Sequence, residues 1–333
     1  MTQASVATDD SAEEVLLRAT TRDIAARCQQ IADPNAAHDP CWGRLESSGL
    51  TELRDVDASG HPVGTSSDAA VVVEEMARSA CSASVLTRAV WVPELIRLAG
   101  IKDTRILDLA RAGQLTLVFD PGLRTVSSSG VAWDSRSATH ALGVAAPGEI
   151  TLCSLGQAGG LTDLTRSERE VLDSTAIDGA LDSLGRDRLE AMMRLTLAAD
   201  SLGAASFLFD RSLAYAKERV QYGRVIGSFQ AVQHILADGY WRLEALRSTI
   251  LYGAWALDAE DSEAAAVCEA ARAFAASQAQ HVVRAAMQVF GGISITWEHP
   301  AHVYLRRVLM NGQLLTPMRA ADHPMTGSGD HAV

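Results

Sequence analysis

Basic residues are scarce in this sequence, and it has neither long hydrophobic runs nor closely spaced cysteines. Its 333 residues include 29 Lys and Arg against 41 Asp and Glu, which gives a net charge of −12 and a pI near 5.2. Nucleic-acid phosphates are bound by clustered cations, so this charge balance excludes a nucleic-acid-binding protein. An anionic ligand must instead be held by a few local cations or by helix ends.

Cysteine and histidine spacing gives no sign of a metal site or a disulfide framework. The five cysteines are dispersed: Cys28, Cys41, Cys81, Cys153 and Cys268. We therefore expect no metal, no disulfide and a reduced, cytoplasmic protein. The first ten residues lack the basic start and apolar segment of a signal peptide, and no apolar run approaches the roughly 18 residues of a membrane span. We expect no membrane association.

Turn residues and hydrophobic periodicity divide the chain into helical, β and helical parts. The hydrophobic share, 47%, is ample for a sizeable core. We expect an N-terminal helical domain over residues 1–112, a shortened β-domain over 113–185, a C-terminal four-helix bundle over 186–315 and a flexible tail over 316–333. The fold class is thus mainly α with a small β-domain.

Several local signals mark the N-terminal helices. Ser11 followed by Glu14 is typical of a helix start. Pro93 lies inside a helical pattern and predicts a kink or a restart there. Glu74 and Glu75, in the helical run before it, are interpreted as an exposed pair.

The middle of the chain carries strand signals. Residues 114–119 read QLTLVF, an alternating pattern that predicts a strand. Two further apolar segments flank Pro147-Gly148 and predict a hairpin.

The C-terminal part has strong helical periodicity. Apolar residues recur at helical steps from Met192 to Leu213. Ser228 is expected to cap a second long helix. A third, alanine-rich helix is expected from about Ser262 to Phe290, ending at Gly291-Gly292, and a fourth after Pro300.

Two motifs in this bundle contain information beyond the helical periodicity. One is Arg219-Val220-Gln221-Tyr222-Gly223, followed by Phe229-Gln230-Ala231-Val232-Gln233; the other is Gln288-Val289-Phe290-Gly291-Gly292. Together they resemble the RxxFG, FQxxQ and QxFGG signatures of the acyl-CoA dehydrogenase family. The helix–β–helix order extends this resemblance over nearly the whole chain, although the motifs themselves are confined to the bundle.

The resemblance implies FAD as cofactor. In that family the matching residues reach across a dimer interface to the flavin of the neighbouring subunit: Arg219, Gln221, Tyr222, Gln230, Gln288, Gly291 and Gly292. An arginine offers a forked, always-charged donor to a pyrophosphate, glutamine amides both donate and accept, and glycines allow close backbone approach. Without the resemblance, the favoured interpretation is that Arg219 is a solvated helix-end residue and that Gly291-Gly292 is a helix cap.

The positions of the catalytic base depart from the family. The family reaction needs a Glu or Asp that removes the α-proton of an acyl thioester while the β-hydride passes to flavin. The two positions known for that base match Met193 and Leu315 in this sequence. Neither side chain can accept a proton. The sequence therefore predicts no catalytic residue at either position.

The middle segment departs as well. The loop and strand that hold the flavin ring in the family have only remnants here, in residues 119–123 and around Trp133. The part of the fold that builds a chain's own flavin and acyl pocket is thus eroded, while the part that reaches a neighbour's flavin is kept.

This asymmetry resembles the base-lacking subunit of actinobacterial heteromeric acyl-CoA dehydrogenases. The resemblance implies a homologous catalytic subunit as partner and an acyl-CoA substrate, often bulky and steroid-derived, in an assembly such as a heterotetramer. A dimer and a tetramer both remain open.

Three alternatives stay beside this interpretation. Glu190 lies one turn before Met193 and could act as the base of a self-sufficient enzyme, although a solvated residue in a helix's first turn is the simpler interpretation. The fold could also support dehydration or cyclisation. Finally, the chain could be a flavin-free scaffold that binds another protein.

Overall fold

The computed structural model describes residues 11–28, 40–57 and 60–317. Residues 1–10, on which the expected absence of a signal peptide rests, and residues 318–333 of the predicted tail lie outside these ranges. Within the described part of the chain, no helix has the length and apolar character needed to cross a membrane.

Among the residues that the structure describes, five α-helices and one π-helical turn precede the strands. The helices are α1 (Ala12–Ala26), α2 (Pro40–Ser47), α3 (Ser66–Arg78), α4 (Val92–Leu98) and α5 (Thr104–Arg111). Ser11 caps α1 as predicted, since its side chain accepts the Glu14 N–H. The turn Leu86–Trp91 runs into α4, and Pro93 lies in the first turn of α4. The helix changes from π to α at Val92, one residue before Pro93, which agrees with the predicted kink or restart at this point.

The strands form a small closed barrel. They are β1 (Leu115–Phe119), β2 (Val131–Trp133), β3 (His140–Val144), β4 (Glu149–Gly160) and β5 (Ser167–Ala180), in the order β1-β2-β5-β4-β3. The predicted strand at β1 and the hairpin of β3 with β4 are confirmed. Strand β5 was not predicted, because most of its side chains are exposed or half-buried and show no regular apolar alternation.

A bundle of long helices follows. Its helices are α6 (Ser183–Glu218), α7 (Gln230–Asp258), α8 (Ala264–Phe290) and α9 (Ala301–Gln313), and a short hairpin of β6 (Val220–Gln221) and β7 (Arg224–Val225) joins α6 to α7. The predicted cap at Ser228 is wrong: its hydroxyl donates to Val225 O at 2.7 Å, and Phe229 precedes the first residue of α7. The fold class, mainly α with a small β-domain, is confirmed.

The N-terminal helices pack directly on the bundle. A Cβ added to Gly203 of α6 would lie 2.0 Å from Glu74 O of α3, so only glycine allows this backbone contact. Glu74 and Glu75 are buried, which corrects the expected exposed pair. Arg18 of α1 and Arg247 of α7 both donate to Glu74 at 2.8 Å. Pairing with arginines from two other helices allows this burial.

The arrangement of the cysteines corrects the expected absence of a disulfide. Cys28 and Cys41 form a disulfide, whereas Cys81, Cys153 and Cys268 are buried outside it. The pairing depends on how the end of α1 packs against α2, which sequence spacing does not reveal. The expectation of a fully reduced chain is therefore wrong at these two positions.

Candidate functional site

The two motif segments meet at one end of the bundle. The rings of Tyr215, near the end of α6, and Phe290, the last residue of α8, lie 5.3 Å apart. Arg219 follows the α6 end, and its N–H donates to Tyr215 O at 2.9 Å. Gly291 directly follows Phe290. The residues predicted to contact a cofactor are thus on neighbouring segments of the same surface.

The first motif forms the β6–β7 hairpin. Gln221 pairs with Arg224, and the turn between them is made by Tyr222 and Gly223, both with positive φ (51° and 77°). A two-residue turn of this kind favours glycine at its second position. The Tyr222 side chain is 94% exposed and touches Phe229 edge-on at 6.3 Å. The hairpin therefore projects from the bundle.

The second motif ends α8. Gly291 has a φ of 70° and donates its N–H to Met287 O, so it caps the helix. A Cβ added at Gly291 or at Gly292 would meet no atom within 4 Å. The side chains of Ile295 and Trp297 just beyond are 80% and 68% exposed. This surface is open and partly apolar.

The exposed donors suit a phosphate-bearing cofactor. Arg219 makes no ion pair with any other residue of the described ranges, so its guanidinium is available to a pyrophosphate. Gln221, Gln230 and Gln288 are exposed on the same end of the bundle. Glutamine amides can donate to and accept from ribose and adenine. The surface fits one side of a bound FAD, and the role of each of the seven residues stays a prediction.

The two positions of the expected base are buried and apolar. Met193 and Leu315 are both 0% exposed. Leu315 has a φ of 55° and donates its N–H to Leu123 O at 2.9 Å, which ties the segment after α9 to the segment after β1. No proton acceptor is supplied by either side chain.

Three aromatic rings pack together in the interior, and one of them is hydrogen-bonded to α6 at Thr196, three residues after Met193. Trp91 and Trp133 stack with centroids 5.5 Å apart, and Phe119 meets both edge-on. Trp91 Nε1 donates to Thr196 Oγ1 of α6 at 2.9 Å. Sequence reasoning noted Trp133 but missed Trp91, for which an isolated tryptophan in the apolar run AVWV was the available signal.

A buried ion network, also missed, lies beside these rings. Asp200 accepts from Arg307 and from Arg166, and Arg166 also contacts Asp134 and Asp163. Burial by itself would raise the pKa of Asp200, but the two arginines outweigh it and hold the pKa at about 2. Burial raises the pKa of Asp134 despite Arg166. The available sequence signal for this network was Asp200 itself, an aspartate within the apolar stretch of α6.

Glu190 has both carboxylate oxygens engaged. Oε1 accepts from the Thr125 hydroxyl at 3.1 Å, and Oε2 accepts from Arg194 at 2.6 Å. The side chain is largely buried in this ion pair. The ion pair and the Thr125 hydrogen bond thus fix the orientation of this carboxylate toward Arg194 and Thr125.

A cavity of the structure lies in another part of the chain. It has a volume of about 590 Å³ and is lined by Trp42, Arg54, Arg88 and neighbouring residues of the N-terminal helices. None of the seven predicted cofactor residues lines it. These seven residues are instead exposed.

Sequence and structure comparisons identify related proteins. Residues 189–313 match the acyl-CoA dehydrogenase C-terminal domain. The chain is 33% identical over 325 residues to the acyl-CoA dehydrogenase IpdE2 of Mycolicibacterium smegmatis, covering 93% of this chain and 96% of that protein.

Solved structures share the fold. A variant of the Tcur3481–Tcur3483 steroid ACAD has a TM-score of 0.72 at 24% identity, covering 91% of this chain and 93% of that one. The ChsE4–ChsE5 complex of Mycobacterium tuberculosis has a TM-score of 0.73 at 19% identity, with the same coverage of 91% and 93%. At these identities the likeness concerns the fold alone.

Proposed function

This chain belongs to the acyl-CoA dehydrogenase family, and from that premise we propose that it is the base-lacking subunit of a heteromeric, FAD-dependent acyl-CoA dehydrogenase. A homologous partner subunit supplies the catalytic carboxylate and most of the flavin pocket. This chain completes the cofactor site across the interface. The complex removes hydrogen from the α and β carbons of an acyl-CoA thioester.

The occupants of the two base positions carry the proposal. Met193 and Leu315 are fully buried and apolar, so neither can take the α-proton. Glu190, the nearest carboxylate to Met193 along α6, is held by Arg194 and Thr125. A chain with this arrangement depends on another subunit for proton abstraction.

The packing of this chain's interior supports the proposal that the cofactor is bound mainly by the partner subunit. Trp91, Trp133 and Phe119 pack against one another with stacked and edge-on contacts, and Trp91 is hydrogen-bonded to Thr196 of α6. We take these packed rings as part of the interior of this chain and not as the lining of a flavin site. The exposed donors at the bundle end, by contrast, are available to a cofactor bound by another chain.

Arg219 is assigned to the FAD pyrophosphate. Gln221, Tyr222, Gln230 and Gln288 line the rest of the cofactor, with Gly291 and Gly292 providing a backbone surface that a cofactor can approach. Bound FAD would supply the hydride acceptor. The residues of this chain bind and orient it and exclude water from one side.

The partner and substrate follow from the relatives. Two of the similar solved structures are named as pairs, ChsE4–ChsE5 and Tcur3481–Tcur3483, and the second is described as a steroid ACAD. We extend this to a bulky, steroid-derived acyl-CoA as substrate, a homologous catalytic chain as partner, and a cytoplasmic heterotetramer as the assembly. Exposed apolar side chains such as Ile295 and Trp297 supply surface that a partner can cover.

The test is the visible absorption spectrum of the chain produced alone and together with a homologous catalytic subunit encoded beside it. We expect the chain alone to be colourless and the pair to be yellow and to oxidise acyl-CoA. A yellow, active preparation of the chain alone contradicts the proposal and favours Glu190 or a different chemistry. Absence of flavin in both preparations favours a scaffold.

A further inference from the structure

Three cysteine sulfurs meet where the first three helices pack together. Cys28 follows α1, Cys41 lies in the first turn of α2, and Cys81 follows α3. Their Sγ atoms all lie within 4.8 Å of one another. Cys28 and Cys41 are bonded, and Cys81 Sγ is 3.5 Å from Cys41 Sγ.

The contact joins the two reactants of thiol–disulfide exchange. Exchange proceeds when a thiolate attacks one sulfur of a disulfide and releases the other. Ala83 N–H donates to Cys81 Sγ at 3.4 Å, so a backbone donor faces the sulfur that would attack. Because two of these three sulfurs are bonded to each other, the three described cysteines offer a metal ion one thiol sulfur in this state. The arrangement thus favours exchange over metal binding.

We propose that this cluster is an internal disulfide-exchange site in which Cys81 displaces Cys28 from Cys41. The Cys81–Cys41 bond forms as the Cys28–Cys41 bond breaks, and the electron pair of the broken bond leaves on Cys28. The proton lost by Cys81 is balanced by the one that Cys28 gains. The two linkages contain the same atoms and electrons, so no external oxidant or reductant is consumed.

Exchange changes which thiol faces the solvent. Cys41 and Cys81 are 5% and 2% exposed, whereas Cys28 is only half-buried at the end of α1. After exchange the thiol is on Cys28, where a reagent in solution can reach it. The exchange therefore turns a buried thiol into an accessible one.

Exchange also changes which elements are crosslinked. The Cys28–Cys41 bond ties α1 to α2 over 13 residues, whereas a Cys41–Cys81 bond spans 40 residues and ties α2 to the end of α3. Cys81 O accepts from Arg307 of α9 at 3.1 Å. The second linkage thus fastens α2 to a segment that contacts the bundle.

Disulfide mapping of the full-length protein tests the exchange. The protein, with its partner subunit where needed, is incubated with a trace of dithiothreitol, labelled natively with N-ethylmaleimide, quenched in acid and mapped by peptide mass spectrometry. We expect a Cys41–Cys81 linkage carrying labelled Cys28 to accumulate beside the Cys28–Cys41 linkage. Recovery of the Cys28–Cys41 linkage alone overturns the proposal.

Single variants isolate each linkage. Cys28→Ser is expected to form Cys41–Cys81 after mild oxidation, and Cys81→Ser to retain only Cys28–Cys41. Cys268→Ser, far from the cluster, leaves both linkages unchanged. The proposal is overturned if oxidised Cys28→Ser still has alkylatable thiols at both Cys41 and Cys81. It is also overturned if the wild-type protein binds stoichiometric zinc with all three thiols reduced. Disulfide mapping of the wild-type protein uses no variant, so it still tests the exchange if a variant misfolds.

Discussion

Arg307 and Asp200 form a doubly hydrogen-bonded ion pair inside the bundle. Arg307 Nε donates to Oδ1 at 2.9 Å and Nη2 donates to Oδ2 at 2.6 Å, which joins α9 to α6. Asn311 and Arg166 donate to the same carboxylate at 2.7 and 2.8 Å. Bidentate pairs of this kind are strong and geometrically specific. The pair holds the end of α9, and with it Leu315, against the interior.

Asp200→Asn is expected to destabilise the protein by about 3–5 kcal/mol at neutral pH, since it leaves two buried arginines short of negative charge. The pKa of Asp200 is lowered to about 2 in the folded chain. An unfolded aspartate titrates near 3.9, so the stabilisation is present above about pH 4 and is lost as pH falls toward 2. The difference between the urea midpoints of variant and wild type should therefore narrow from pH 5 to pH 3 without vanishing.

Asp134→Asn is the matched control in the same network. Burial raises the pKa of Asp134, so its charge opposes folding above its ordinary pKa. Removing that charge leaves two aspartates, Asp163 and Asp200, facing two arginines. We expect a smaller loss of stability than for Asp200→Asn, with a pH dependence of opposite sign. Equal losses in the two variants, constant with pH, contradict this account.

Arg219→Ala is expected to reduce the flavin content of the assembled complex. A charge-assisted hydrogen bond to a phosphate contributes about 1.5–3 kcal/mol, which corresponds to roughly a 10- to 100-fold weaker flavin affinity. Flavin is measured by absorbance after dialysis at a fixed complex concentration. Arg111→Ala, an exposed arginine of α5 far from the bundle end, should leave the flavin content unchanged. Full flavin content in Arg219→Ala rules out the assignment.

Sequence patterns predicted the bundle well because its helices are long and strongly periodic. The Gly291 end of α8 and the restart at Pro93 followed from the backbone chemistry of glycine and proline. Strand β5 was missed because its exposed, polar face has no periodic burial to detect. Local pattern alone cannot reveal a strand that is defined by pairing with distant partners.

Buried charge was the main failure of sequence reasoning. Glu75 looks like a solvated helix residue, yet it is 1% exposed and is bound by Arg22 and Arg18. The Asp200 network and the Cys28–Cys41 disulfide likewise depend on contacts between helices distant in sequence or packed end to end. Of the candidate site, the motif residues could be named from sequence, but their convergence through Tyr215 and Phe290 required the structure.

Glu190→Gln is expected to leave turnover of the assembled complex unchanged. The variant loses the ion pair with Arg194 but keeps an oxygen that can accept from Thr125. Since the proposed base belongs to the partner, kcat should stay within about twofold of the wild-type value. Stability should fall by about 1.5–3 kcal/mol for the lost charge-assisted hydrogen bond, and Arg194 keeps its ion pair with Glu269. Loss of turnover with flavin still bound would instead identify Glu190 as the base of a self-sufficient enzyme.

Trp91→Ala separates the packing of this chain's interior from the binding of flavin. Truncation removes the stack on Trp133 and the hydrogen bond to Thr196, so a loss of about 3–5 kcal/mol is expected, seen as a lower thermal midpoint.

Trp91→Phe, the conservative control, keeps an aromatic ring and should therefore lower the stability less. In this variant Thr196 Oγ1 loses its Trp91 donor but still donates to Met192 O at 2.8 Å. Near-UV circular dichroism reports the stack, which both variants should weaken. If the interior is filled by side chains and the cofactor lies at the bundle end, the flavin content per complex stays constant in both variants. Loss of flavin at an unchanged thermal midpoint would place Trp91 against the cofactor and refute the single-site arrangement.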